Sequence, residues 1–190
     1  TVGALRLSRI SNGVSQLHGD TANKMWRHVR GRSKIIGITN AIHIPTWVDE
    51  KMIALAEKYE AGIESGDALW ERHMENKKKL IDFVYERTGV LLKPDVLLIG
   101  FSRRAADYKR SNLIFTDRSF IKPLLENGKL QIVFAGKAHP LDDHGKNIIA
   151  DIIDMTRLYP GSVVFLEDYD MEIGSMLTKG SDIWLNNPRR

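Results

Sequence analysis

A chain of 190 residues, 43% hydrophobic and 27% charged, has the composition of a water-soluble globular protein, long enough for one good core or a domain plus part of another. No apolar run approaches the ~20 residues of a membrane-spanning helix, and the absence of cysteine excludes disulfides and thiolate metal sites. The net charge of +4 would suit a nucleic-acid binder, but the cations are mixed with 24 acidic residues and do not interleave with aromatics. We therefore expect neither nucleic acid nor a membrane as a partner, and a cytoplasmic location.

The first half of the chain is predicted to be mostly helical. Helices are expected at about 15–29, 48–59 and 68–88, with a short strand at 35–38. Ser15 and Asp67 are the predicted N-caps of the first and the longest helix. The lysine run Lys77–Lys79 is predicted to form a solvated face of the longest helix. Turn and breaker residues indicate a domain boundary near Pro94.

From Val96 onward the pattern changes to alternating strands and helices, which is typical of a parallel sheet. The predicted strands are 96–101, 130–135, 163–166 and 182–185, and the predicted helices are 106–115, 118–127, 144–158 and 171–179. Right-handed crossovers between the strands would build half of a Rossmann-like sheet. The expected fold class is therefore α/β, with a Rossmann-like parallel sheet preceded by a mostly helical segment.

Cations are concentrated directly after the first of these strands. Arg103, Arg104, Lys109 and Arg110 share eight positions with Tyr108. In open α/β sheets, ligands bind in the crevice outside the carboxyl ends of the strands, and clustered Arg and Lys suit an anion such as phosphate. Taken alone, the cluster is equally compatible with a solvated basic turn.

Two later strands also end in polar residues, and a parallel sheet would bring all three ends to one edge. The strand at 130–135 runs into Gly136, Lys137 and His139, and the strand at 163–166 runs into Glu167, Asp168, Tyr169 and Asp170. The carboxylates after the later strand are not expected to form a glycosidase pair, because neighbouring positions on one strand cannot lie on opposite sides of a glycosidic bond. The Asp-rich stretch 142–145 is better explained as a helix N-terminus than as a metal site, so we expect no metal.

These motifs, in their order and approximate spacing, resemble the C-terminal domain of the α-glucan (glycogen, starch or maltodextrin) phosphorylases, most closely the short bacterial and archaeal type. The matching segments are Gly100–Arg110, Phe134–Pro140, Phe165–Asp170 and Asp182–Arg190, with Asn12–Gly19 and Ile38–His43 similar to the part just before the domain junction. The resemblance implies a two-domain glycosyltransferase architecture. Residues 1–94 would be the end of the N-terminal lobe and a helical junction, and residues 95–190 the first part of the C-terminal, Rossmann-like lobe.

The resemblance also implies an activity, the phosphorolysis of 1,4-α-glucan to glucose 1-phosphate with pyridoxal phosphate as cofactor. It assigns Arg104 and Lys109 to the substrate phosphate as catalytic residues. Cofactor contacts are expected from Arg103, Tyr108 and Tyr169, and the substrate rim from Lys137, His139, His18 and His43. The expected partners are α-glucan and inorganic phosphate. A homo-oligomer is an open alternative, because the sequence does not determine the oligomeric state.

Two features depart from the family pattern. The cofactor lysine of the family is expected beyond Arg190, so the chain by itself is expected to be inactive or nearly so. Many long-type phosphorylases carry an arginine where this chain has Asp170, and that arginine's phosphate contact is not carried over. Two alternatives remain open, namely a nucleotide-sugar glycosyltransferase of the glycogen synthase type and a non-catalytic α/β module that binds an anion or a partner subunit.

Overall fold

The structure is a computed structural model and describes residues 1–189. The described chain divides into two compact units, Thr1–His43 and the residues from Ile44 onward. This division precedes the boundary that the sequence indicated near Pro94, because the long helix before Pro94 packs on the C-terminal sheet layer. The assignment of residues 1–94 and 95–190 to two lobes of a larger protein stays a prediction.

The first unit is a small α/β element. It consists of α1 (Val2–Leu7), β1 (Ser11–Gly13), α2 (Gln16–Met25) and β2 (Ile35–Gly37). β1 and β2 pair in parallel, and Leu5, Ala22 and Ile35 form the buried contact beneath them. The predicted cap of α2 is confirmed, since the Ser15 hydroxyl accepts a hydrogen bond from the backbone amide of His18 at 3.1 Å.

The second unit is a four-stranded parallel sheet with helices on both faces. Its elements are α3 (Ile44–Trp47), α4 (Glu50–Glu60), α5 (Gly66–Thr88), β3 (Leu97–Ser102), α6 (Arg118–Glu126), β4 (Leu130–Ala135), α7 (Asp143–Leu158), β5 (Val163–Leu166), α8 (Met171–Gly180) and β6 (Ile183–Trp184). The strand order is β5-β4-β3-β6, and each neighbouring pair is parallel. The predicted α/β class with a Rossmann-like parallel sheet is confirmed.

Alternating residues along each strand face opposite layers, and both layers are apolar. Ile132 and Phe134 of β4 lie in one core cluster with residues of α6 and α7. Val133 and Ala135 lie in the other cluster, with residues of α5 and α8. β4 is therefore covered on both faces, and ligands can approach the sheet where its strands end.

The helix predicted at 106–115 is wrong. The segment forms two short 3₁₀ turns, Asp107–Lys109 and Leu113–Phe115, separated by Arg110 in a left-handed conformation with φ of 50°. A left-handed non-glycine residue ends any helix at that point. The stretch therefore remains a loop that lies over the end of the sheet.

The predicted solvated lysine face is wrong at Lys77, which is 2% exposed, and holds for Lys78 and Lys79, which are exposed. The Lys77 ammonium donates hydrogen bonds to the carbonyl oxygen of Val96 at 2.8 Å and to the carboxylate of Asp182 at 2.6 Å. Periodicity did not reveal this contact because the partner carboxylate lies far away in sequence.

Candidate anion-binding site

The last residues of three adjacent strands lie side by side. Ser102 of β3 is in register with Ala135 of β4, and Ala135 is in register with Leu166 of β5. The loops that leave these strands therefore start at the same level, at the carboxyl ends of the strands, as expected of a parallel sheet. The strand order also reverses beside β3, because β4 lies on one side of it and β6 on the other. Such a switch point is where open α/β sheets bind ligands.

The segment from Arg103 to Arg110, here called the basic loop, packs closely on the exit of β4. The amide of Ala105 donates to the carbonyl oxygen of Lys137 at 3.0 Å. Gly136 has a φ of 157°, and a Cβ there would lie 2.3 Å from the carbonyl oxygen of Arg103. Only glycine therefore allows the two chain segments to approach this closely.

The first turn of α7 supports the basic loop from the other side. A Cβ on Gly145 would lie 2.4 Å from the carbonyl oxygen of Ala105. The Asp142 carboxylate accepts a hydrogen bond from the Gly145 amide at 2.9 Å and so caps α7. This confirms that the Asp-rich stretch is a helix N-terminus.

Two of the four cations in the basic loop are engaged by the segment after β6. The Arg103 guanidinium donates to the side-chain oxygen of Asn186. The Nε of Arg110 donates to the carbonyl oxygen of Asn187 at 2.8 Å. Neither partner is an acid, so neither positive charge is neutralised.

The other two cations, Arg104 and Lys109, have no acidic partner among residues 1–189. Arg104 is exposed, and Lys109 places its ammonium 4.6 Å from the ring centroid of Tyr108. The one carboxylate in the basic loop, that of Asp107, pairs instead with His144 and Arg189, each at 3.2 Å. The loop therefore presents uncompensated positive charge at the edge of the sheet, as an anion-binding site requires.

The remaining predicted residues of this unit are dispersed around the same edge. Lys137 and His139 are exposed on the loop after β4, and His139 Nδ1 accepts a hydrogen bond from the amide of Leu141 at 3.1 Å. Tyr169 packs toward α8, where a Cβ on Gly174 would lie 2.8 Å from its hydroxyl oxygen. The structure thus brings Lys137 beside the basic loop, while Tyr169 lies against α8.

His18 and His43 belong to the first unit, and both are exposed. His18 Nδ1 accepts a hydrogen bond from the amide of Val14 at 3.1 Å, which orders the turn before α2. The assignment of both histidines to a substrate rim stays a prediction.

The donors at this edge suit the phosphate group of pyridoxal phosphate. Arg103 supplies a planar guanidinium and the half-exposed Tyr108 a phenol hydroxyl, and both kinds of group bind phosphate oxygens. The hydroxyls of Ser102 and Ser111, at the two ends of the segment, are buried and have no partner within the described residues. The residues present therefore fit such a group.

Sequence reasoning missed a buried charge cluster made by Asp182, Lys77 and His73. Asp182 accepts hydrogen bonds from Lys77 Nζ at 2.6 Å and from the amide of Leu98 at 2.8 Å, and its other oxygen lies 2.6 Å from His73 Nε2. Burial by itself raises the pKa of Asp182, but the hydrogen bonds from His73, Lys77 and Leu98 outweigh it and lower the pKa below its usual value. The cluster fastens α5 to the starts of β3 and β6. In the sequence, the one sign of this buried cluster is a carboxylate, Asp182, at the start of a predicted strand.

Fold and site together define an α/β protein with a cationic site at the switch point of a Rossmann-like sheet. No protein-family model matches the chain. The chain is 35% identical over 99% of its length to a glycogen phosphorylase of Aquifex aeolicus, and 31% identical over 100% of its length to a maltodextrin phosphorylase of Thermococcus litoralis. It is also 29% identical, over 81% of its length, to a glycogen synthase of Cellvibrio japonicus.

The aligned regions make up 33% of the Aquifex protein, 27% of the Thermococcus protein and 28% of the Cellvibrio protein. The chain thus spans a third or less of the length of these curated relatives. It is homologous to a segment of the α-glucan phosphorylases, which are glycosyltransferases, and the resemblance seen in its motifs is confirmed.

Proposed function

We propose that the protein to which this chain belongs is an α-glucan phosphorylase, which releases glucose 1-phosphate from 1,4-α-glucan, and that this chain supplies the phosphate-binding edge of the active site. The homology supports the reaction class. The observation that carries the site assignment is that Arg104 and Lys109 stand at the sheet edge without an acidic partner among the described residues.

The proposed reaction requires such cations. Phosphorolysis places an inorganic phosphate dianion beside the phosphate of a cofactor, and the two repel strongly where water is excluded. Arg104 offers a planar fork that binds two phosphate oxygens, and Lys109 offers a compact charge for a third. Both cations would also stabilise the charge that develops as phosphate attacks the sugar.

Pyridoxal phosphate is the proposed cofactor, and its phosphate group would supply a proton to the inorganic phosphate. Arg103 and Tyr108 would hold the cofactor phosphate, with Tyr169 also near the cofactor. Lys137, His139, His18 and His43 would line the substrate rim. A cytoplasmic, homo-oligomeric enzyme acting on α-glucan and inorganic phosphate completes the proposal.

The proposal is tested by titrating the 190-residue chain with inorganic phosphate and following backbone amide resonances. We expect the resonances of the basic loop and Lys137 to shift, and Arg104→Ala and Lys109→Ala each to weaken phosphate binding about tenfold or more, since each removes a charge-assisted contact. Lys129→Ala is the matched control, because this exposed lysine directly precedes β4, at the opposite edge of the sheet. Equal effects of all three substitutions would show that only net charge matters, and would refute the site.

A glycogen synthase type of transferase is the second candidate, favoured by the match to the Cellvibrio protein. In that case the same cations would hold the diphosphate of a sugar nucleotide. A chain that binds ADP-glucose or UDP-glucose at the basic loop, and inorganic phosphate no better than chloride, would favour this candidate over a phosphorylase.

A further inference from the structure

The segment after β6, residues 186–189, contacts the basic loop at several points. Asn187 and Arg110 exchange two hydrogen bonds, Arg110 Nε to the Asn187 carbonyl oxygen at 2.8 Å and Asn187 Nδ2 to the Arg110 carbonyl oxygen at 3.2 Å. Two residues further on, the amide of Arg189 donates to the carbonyl oxygen of Tyr108 at 2.8 Å. The contacts lie where strand order reverses, between the exits of β3 and β6.

We infer that Asn187 and Arg110 form a clamp that holds the basic loop in its anion-binding shape, so that they are positioning residues of the proposed phosphate site. The inference rests on the proposed function. Neither residue needs to touch phosphate for this role, since each acts through the backbone that carries Arg104 and Lys109.

The backbone of Arg110 shows why a clamp is needed. Its φ of 50° is unfavourable for a residue with a side chain. Local hydrogen bonds support it, from the Arg110 amide to the Asp107 carbonyl oxygen and from the Leu113 amide to the Arg110 carbonyl oxygen, each at 3.0 Å. The two hydrogen bonds to Asn187, one from the Arg110 side chain and one to the Arg110 carbonyl oxygen, add support from a distant part of the chain. Lys109, the preceding residue, is thereby kept at the open edge with its ammonium over the Tyr108 ring.

The clamp leaves the anion-binding groups available. Arg110 directs its Nε to a neutral carbonyl oxygen, so its positive charge still contributes to the field at the edge. The Oδ1 of Asn187 is buried and has no partner within the described residues. The segment after β6 therefore orders the loop without adding an acid that would compete with phosphate.

The experiment separates geometry from charge by comparing Asn187→Ala and Arg110→Lys in the 190-residue chain. Neither substitution changes net charge, whereas each removes one of the two reciprocal hydrogen bonds. We expect faster hydrogen exchange at the amides of Lys109 and Arg110, and phosphate binding weaker by about three- to tenfold in each variant. The double variant is expected to lose much less than the sum of the two, because the bonds act as one unit.

Asn147→Ala and Arg157→Lys are the matched controls, since both residues are exposed on α7 and belong to neither chain segment of the clamp. The salt dependence of phosphate binding gives a further readout. Arg104→Ala is expected to make phosphate affinity less dependent on salt concentration, because a cation is lost. The clamp variants are expected to keep the salt dependence of the unaltered chain.

Unchanged exchange at Lys109 and Arg110 would overturn the clamp, and faster exchange with unchanged phosphate affinity would overturn its positioning role. Failure of the unaltered chain to bind phosphate would count against the proposed function itself. That failure is distinguishable, because the exchange measurement reports on the clamp without any ligand.

Discussion

The ammonium of Lys77 lies 2.6 Å from the carboxylate of Asp182, a residue 105 positions away, and both side chains are buried. This pair joins α5 to the start of β6 at the edge of the sheet opposite the basic loop. Removing one partner would leave an uncompensated buried charge. Such a change commonly lowers the free energy of unfolding by about 3–5 kcal/mol.

Lys77→Met is therefore expected to lower the free energy of unfolding by about 3 kcal/mol or more. Lys78→Met is the matched control, because Lys78 pairs with Asp82 on an exposed face and should cost about 0–1 kcal/mol. Urea denaturation of both variants provides the measurement. Similar losses for the two lysines would contradict the buried pair.

The folding stability is expected to fall at acid pH because of Asp49. Its carboxylate accepts hydrogen bonds from two nitrogens of Arg72 at 2.6 and 2.7 Å. The hydrogen bond from Arg72 lowers the pKa of Asp49 from 3.8 to about 2. Because the folded-state pKa is lowered, the stabilisation is complete above pH 3.8 and is lost as the pH falls toward about 2.

The unfolding free energy measured between pH 5 and pH 2 should therefore fall less steeply for Asp49→Asn than for the unaltered chain. Asp143→Asn is a suitable control, since it removes the same charge from a carboxylate that is almost fully exposed. An identical slope in Asp49→Asn would exclude the pair as a source of acid sensitivity.

Close packing between α5 and α8 depends on Gly180. A Cβ there would lie 2.7 Å from Leu80 Cβ and 2.9 Å from the carbonyl oxygen of Asn76. Gly180→Ala should destabilise the chain by about 1–3 kcal/mol, because the two helices must separate. Gly66→Ala, at the open start of α5, should be neutral or stabilise by up to about 1 kcal/mol. Thermal unfolding of the Gly180→Ala and Gly66→Ala variants provides the measurement. A smaller loss of stability for Gly180→Ala than for Gly66→Ala would contradict the prediction.

A substitution at Gly136 should change the geometry of the proposed phosphate site without removing any charge. Gly136→Ala places a Cβ against the carbonyl oxygen of Arg103, so the basic loop must move away from the exit of β4. We expect phosphate affinity to fall about tenfold or more, as ligand geometry is sensitive to shifts of about 1 Å. Phosphate titration of this variant beside Gly3→Ala, which meets open space, provides the check. Undiminished affinity would show that the loop binds phosphate independently of its packing.

Much of the second unit could be predicted from sequence because its strands are short apolar runs with clear turn residues on both sides. The bounds of β4 and β5 agree with the predicted 130–135 and 163–166. Their residues face covered layers on both sides, so local composition and tertiary environment favour the same structure.

The basic loop was predicted less well, for a physical reason. Its sequence has helical composition, but its conformation is set by Asn187 and Arg189, some 80 residues later, and by the left-handed Arg110. Lys77 was misplaced for the same kind of reason, since a lysine run gives no sign that one member meets a distant carboxylate. Local patterns cannot reveal contacts of this range.

The in-register ends of β3, β4 and β5 have a consequence for how this chain tolerates change. A one-residue deletion inside β4 would retract its exit by about 3.3 Å and turn the following side chains to the opposite face. Lys137 would then no longer meet the amide of Ala105. The lengths of β3, β4 and β5 are therefore constrained together with the composition of the loops that follow them.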